Sequence, residues 1–194
     1  TMAETRTGTG ASTGANARRT LLLGATVRTL GAWPAGWRYP GAQTDPRNDR
    51  ESLLRIATAA ETAGLQFLYF GDWLATSADY QYTDPYLLAR LEPFAAIGYL
   101  ASATKRIGLI ATVNSVHSEP YSAARSAASI DLLSDGRVGL VVTSGSEPRS
   151  ASNFGWNRVN PDADRIASAG EFIEVLRGLW DSWDEDAFVA DVAT

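Results

Sequence analysis

Five polar side chains stand just beyond short apolar runs. Asp72 follows QFLYF (66–70), Asn114 and Ser115 follow IGLIATV (107–113), and Thr143 and Ser144 follow VGLVV (138–142). Hydroxyl and amide groups both donate and accept hydrogen bonds, whereas a carboxylate only accepts. Such a set suits holding the polar edge of a ligand and contains no nucleophile paired with a base. An aspartate directly after a buried run also serves as an N-cap or loop hydrogen-bonder, and for Asp72 taken alone that is the favoured reading. The chain has no cysteine and one histidine, His117. A thiolate metal site, a disulfide framework, a cysteine nucleophile and a His-rich metal site are therefore excluded.

The elements that must position these groups follow from the hydrophobic pattern. Residues 105–144 read as strand, crossover helix, strand. The β-branched run 107–113 suits a strand buried on both faces. Pro120 suits the first turn of a helix reaching about residue 133. Ser134-Asp135-Gly136 then turns the chain into a strand over 138–142. Two buried strands joined through a helix are parallel neighbours in one sheet. Ligands bind at the C-terminal edge of such sheets, where Asn114, Ser115, Thr143 and Ser144 fall.

The rest of the chain repeats or serves this unit. Residues 1–19 are Thr, Gly, Ala and Ser with almost nothing apolar, and predict a disordered tail. Residues 21–27 predict a first strand, followed by a Pro- and Gly-punctuated loop over 31–45. There Trp33, Trp37 and Tyr39 either pack over a core edge or roof a pocket for a planar ligand. Asn48 and Glu51 have capping-box spacing ahead of a helix with Leu53, Ile56, Ala57 and Ala60 on one face, closed by Gly64. A strand over 66–70 leads to an irregular stretch over 74–91. Pro93 opens a helix with Phe94, Ile97, Leu100 and Ala101 on one face. A long loop follows Ser144, then a helix marked by Ile166, Ala169, Ile173, Leu176 and Trp180. This β-α alternation, four times over, predicts a parallel sheet flanked by helices: either half of a (βα)8 barrel, whose full length is typically about 250 residues, or an open doubly wound sheet. No GxGxxG or GxxxxGK[ST] phosphate loop occurs.

Charge and hydropathy exclude other classes. The net charge is −5, and it gathers at the C-terminal end, where Glu171, Glu174, Asp181, Asp184, Glu185, Asp186 and Asp191 face Arg177 alone. The remainder is near neutral, which argues against nucleic acid as a partner. No apolar run approaches the roughly 20 residues that span a bilayer. No secretory signal is visible, so no membrane role and a cytoplasmic location are expected.

Six stretches in order resemble one family. They are WRYP (37–40), FLYFGDWL (67–74), LEPFAAIGYLASATKRIGLIATVNS (91–115), EPYSAARSAASIDLLSDGRVGLVVTS (119–144), ASNFG (151–155) and AGEFIEVLRGLWDSWDEDAFVAD (169–191). Together they are similar to the FMN-dependent monooxygenases of the bacterial-luciferase-like superfamily, in the branch of nitrilotriacetate monooxygenase component A. The resemblance implies an α/β fold, the first four βα units of a TIM barrel over residues 20–194, after the tail.

It also implies reduced FMN, supplied by a separate NADH-dependent flavin reductase, dioxygen, and a small organic substrate that is oxygenated. Because the cofactor carries the chemistry, no catalytic side chain is expected. Carried over position by position, the cofactor-binding residues are Asp72, Thr112, Asn114, Ser115, Thr143 and Ser144. Asp162 and Ile166 depart from the family pattern, standing where it has a His-x-x-x-Tyr pair. So does Ala32, in place of a histidine, and His117 falls where a tyrosine is common. Two alternatives stay open: a non-catalytic half-barrel acting as a partner subunit, and a deazaflavin-dependent oxidoreductase. Two open sheet edges imply either a homo-oligomer or association with the other half of a barrel.

Overall fold

The computed structural model describes residues 21–31, 33, 35–45, 49–83, 85–145, 147–155, 162–184, 187 and 191; the expected tail lies outside them. Four strands form one sheet in the order β1 (Gly24–Thr26), β2 (Phe67–Phe70), β3 (Gly108–Asn114), β4 (Val138–Thr143). Every neighbouring pair is parallel, and the register sets Tyr69 beside Ile110 and Asn114 beside Thr143. Long helices α1 (Asp49–Thr62), α3 (Pro93–Ala103), α4 (Pro120–Ser134) and α6 (Asp162–Trp180) pack in a row, each against the next.

Alternation along the strands divides the two faces. Leu68 and Phe70 of β2 and Leu109 and Ala111 of β3 point to the helices, where they join Leu53, Ala57, Ile97 and Leu100 in the core. Leu68, Ile97, Leu100 and Leu109 are wholly buried, and each such side chain contributes roughly 1.5–3 kcal/mol. A second cluster sets Val113 against Ala123 and Ala124 of α4 and Phe172 and Leu176 of α6. The opposite face carries Tyr69, Thr112, Asn114 and Thr143, one residue out of phase. Thr112 Oγ1 donates to the Tyr69 hydroxyl at 3.0 Å.

Several boundaries differ from those expected. The first strand is only three residues long, and Leu21, Leu22 and Leu23 before it are exposed. Residues 74–91 are not wholly irregular: they hold the short α2 (Tyr80–Thr83) and a 3-10 turn at Pro85–Leu87. Tyr86 there is buried, its hydroxyl on the Val27 carbonyl at 3.2 Å. The segment after Ser144 contains α5 (Pro148–Asn153). β4 is half-buried rather than enclosed, with Val141 exposed, because it is an edge strand. Ile166 and Trp180 are exposed on α6; of the expected face Leu176 is buried, joined by Arg165 and Phe172, which were not expected there. Neither Trp33 nor Tyr39 packs on the core; both are 77% exposed.

The N-terminal end of the sheet is clamped by two charged side chains. All five guanidinium N–H groups of Arg137 are used. Nε donates to the Ser134 carbonyl, Nη1 to Thr104 Oγ1 and the Ile107 carbonyl, and Nη2 to the Ala101 and Thr104 carbonyls, at 2.6–3.1 Å. Glu61 Oε1, near the end of α1, accepts from the backbone N–H groups of Lys105, Arg106 and Ile107 at 2.9, 2.6 and 3.0 Å. These bonds, the Arg106 one foremost, hold its carboxyl below the usual range.

Candidate functional site

Three strand ends and one short helix build a cleft at the other end of the sheet. Residues 72–74 after β2, Asn114 of β3, residues 142–145 at and after β4, and Glu147 and Ser150 around α5 enclose about 440 Å³, within the range of small-molecule sites.

Asn114 is 9% exposed. Its Oδ1 accepts from the backbone N–H groups of Val116 and His117 at 2.9 and 3.3 Å, closing an Asx-type turn that fixes the amide plane. Gly145, at φ +60°, lies against that amide: a Cβ there would stand 2.9 Å from both Nδ2 and Oδ1. Glycine is required on both counts. Asp72 Oδ1 accepts from the Trp73 backbone N–H at 2.7 Å. Burial raises the Asp72 carboxyl above its ordinary pKa and the Glu92 charge adds to this, while the Trp73 bond and Arg90 oppose it. Trp73 Nε1 is buried and has no hydrogen-bond partner among the described residues.

The α5 wall was expected to be loop, yet it carried a readable signal. Glu92-Pro93, Glu119-Pro120 and Glu147-Pro148 all place a glutamate at the N-cap and a proline in the first turn. Glu147 caps α5 by accepting from the Arg149 N–H at 3.2 Å. The helix is tied down by Asn153 Nδ2 donating to the Leu74 carbonyl at 2.7 Å and Arg149 Nη1 donating to the Tyr80 hydroxyl at 3.2 Å. His117 Nε2 meets Ser150 Oγ at 3.1 Å, and its ring stacks on Phe154 at 4.2 Å. Ser150 Oγ already donates to the Glu147 carbonyl at 2.7 Å, so it accepts from His117 Nε2–H and fixes that tautomer. Burial lowers the His117 pKa, favouring the neutral ring.

Of the six residues carried over, Asp72, Asn114, Thr143 and Ser144 line the cleft. Thr112 and Ser115 do not: Thr112 is bound to Tyr69, and Ser115 Oγ donates to the Thr143 carbonyl at 3.1 Å, tying the ends of β3 and β4 together. Trp73, Gly145, Glu147 and Ser150 also line it and were not anticipated. Ala32 and the Asp162 side chain lie outside the described residues. Among the described residues no cluster of acids or His could hold a metal ion, and no helix is long and apolar enough to cross a membrane.

The family model for luciferase-like monooxygenases matches residues 32–191. The chain belongs to this family. It is 36% identical over 184 residues to nitrilotriacetate monooxygenase component A of Aminobacter aminovorans, across 90% of this chain and 41% of that protein. The solved EDTA monooxygenase from Chelativorans sp. BNC1 superposes with a TM-score of 0.79 at 26% identity, over 90% of this chain and 42% of that one. A riboflavin lyase solved with modified FMN and riboflavin gives 0.74 at 29% identity, over 90% and 41%. The chain thus spans about 40% of the length of the curated relatives it matches, and the parallel sheet corresponds to part of their TIM barrel.

The cleft is chemically suited to the ring portion of a flavin. It offers an acceptor at Asp72, an amide at Asn114, hydroxyls at Thr143 and Ser144, an orphaned buried indole N–H at Trp73 and apolar walls at Leu74 and Val142. Heterocycle edges of alternating N–H and C=O groups need that mixture.

Proposed function

We propose that this chain is the N-terminal half-barrel (residues 20–194) of an FMN-dependent monooxygenase. It would use reduced FMN, delivered by a separate NADH-dependent flavin reductase, and dioxygen to oxygenate a small organic substrate in the cytoplasm. The observation that carries the reading is the gathering of Asp72, Asn114, Thr143 and Ser144 around one cleft at the C-terminal strand ends, in a chain of the luciferase-like monooxygenase family.

Bound reduced flavin supplies the electrons that activate dioxygen. The chain's own residues would bind and orient it: Asp72 would accept from a ring N–H, Asn114 and Ser144 would donate to ring acceptors, and Thr143, whose hydroxyl donates to the Val113 carbonyl at 3.4 Å, would accept. Thr112 and Ser115 hold the strand ends in place through Tyr69 and the Thr143 carbonyl. Leu74, Trp73 and Val142 exclude water from the wall, which strengthens each of these bonds. Equilibrium titration of the purified chain with FMN, followed by flavin fluorescence and visible absorbance, tests the reading. Saturable binding is the expected result, and no binding by the chain or by a barrel completed with its second half would sink it.

Among the described residues no further strand pairs with the outer edges of β1 and β4, which favours a partner. Unpaired strand edges are templates for association, so the chain acts with a complementary half-barrel or a second copy. Sedimentation showing a monodisperse monomer would overturn that part.

A further inference from the structure

The cleft wall built by α5 is fixed by side chains. α5 is bracketed by Gly145 at φ +60° and Gly155 at φ +75°, two left-handed points where the chain bends at little cost. The backbone N–H groups of Ser150, Phe154 and Gly155 donate within residues 147–155, so side chains decide where the segment stands. Asn153 on the Leu74 carbonyl and Arg149 on the Tyr80 hydroxyl tie it down at the surface, where water competes for each group.

A third tie lies inside. Ser150 is 3% exposed, and its Oγ takes the His117 Nε2–H at 3.1 Å. The imidazole lies flat on Phe154, with centroids 4.2 Å apart and planes 6° from parallel. The His117 backbone N–H meanwhile donates to Asn114 Oδ1 at 3.3 Å. One residue thus joins the turn that ends β3 to two points of the α5 segment, positions 150 and 154. Asn114 and Ser150 both line the cleft, whereas His117 itself does not. Leaving a buried hydrogen-bonding group unmade costs far more than losing an exposed one, so the His117 tie outweighs the two at the surface.

We propose that His117 is a positioning residue: its ring latches α5 against the end of β3 and so sets the wall that carries Glu147 and Ser150. It acts through α5 and not on a ligand. The latch goes beyond the flavin reading, and only the FMN measurement below rests on that reading.

Hydrogen–deuterium exchange over residues 147–155, with the unfolding midpoint and FMN affinity of the same proteins, tests this. His117→Phe keeps a ring against Phe154 and removes the donor. Exchange across 147–155 should rise about three- to tenfold, the loss of one buried hydrogen bond, with α1 and α3 unchanged. FMN affinity should fall by a similar factor. His117→Gln restores a side-chain N–H and should return both to within about twofold of wild type. Adding His117→Phe to Ser150→Ala should cost no more than Ser150→Ala alone, because both remove the same bond. Unchanged exchange in His117→Phe, an equal rise in α1 and α3, or no recovery in His117→Gln would overturn the latch. Faster exchange with unaltered FMN affinity would overturn its role in the cleft. Failure of wild type to bind FMN, with the exchange pattern as expected, would remove the flavin reading and leave the latch in place.

Discussion

The two ends of the four-stranded sheet use similar residue types and differ in whether their hydrogen-bonding groups find partners inside the chain. At the N-terminal end, Arg137 places all five N–H groups on four carbonyls and a hydroxyl. Glu61 gathers three backbone N–H groups on one oxygen, and Asp131 Oδ1 takes the Val138 N–H at 3.0 Å. Past the strand C-termini, Thr29 Oγ1, Trp37 Nε1 and Trp73 Nε1 are buried without a partner among the described residues. Asp72 is held where burial opposes its charge. An unpaired buried polar group costs about 1–3 kcal/mol, and among the described residues such groups gather at the second end. The first end holds the fold; the second keeps groups available for a ligand.

Substitutions should divide along the same line. The largest loss of stability is expected for Arg137→Ala, about 2–4 kcal/mol, since it strands several carbonyls. It should appear as a lowered denaturant midpoint, with the fraction still folded binding flavin normally. Gly145→Ala should cost about 1–2 kcal/mol for its left-handed backbone, and it should also weaken flavin binding by pushing on Asn114. That double effect separates it from Arg137→Ala in a paired stability and binding measurement.

Glu61→Gln should be milder and pH-dependent. The folded pKa of Glu61 is lowered, so its stabilisation is present above the unfolded value near 4.5 and lost as pH falls through the folded value. Wild type and variant should therefore differ in thermal midpoint at neutral pH and converge in acid. A constant difference would contradict the assignment. Asp72→Asn should change stability least, and in the favourable direction at pH 7. The folded pKa of Asp72 is raised, so its ionised form opposes folding, whereas an amide oxygen still accepts from Trp73.

Much of the structural half of this comparison was legible in the sequence. The parallel βαβ unit, Pro93 and Pro120 in the first turns and Gly64 at φ +80° all follow from local rules with one outcome. The errors came where tertiary packing decides. Ile166 fits a helical stripe with Leu176, but α6 turns Phe172 to the core beside Leu176 and leaves Ile166 exposed. α5 is short and polar, so hydrophobic periodicity is silent there, although Glu147-Pro148 marks its start. The cleft was half legible. Asp72, Asn114, Thr143 and Ser144 could be placed at strand ends, whereas Trp73, Glu147 and Ser150 are brought in by loop paths that no periodicity encodes. The orphaned indole of Trp73 is a property of the fold alone.

The division between the two ends is tested most directly by titrating wild type and Asp72→Asn with FMN in parallel, with the unfolding midpoint of each measured in the same buffer. Saturable binding by wild type, weakened about tenfold in Asp72→Asn at an equal or higher midpoint, is the predicted result. Equal affinity in the two proteins, or a fall in midpoint large enough to account for lost binding, would contradict it.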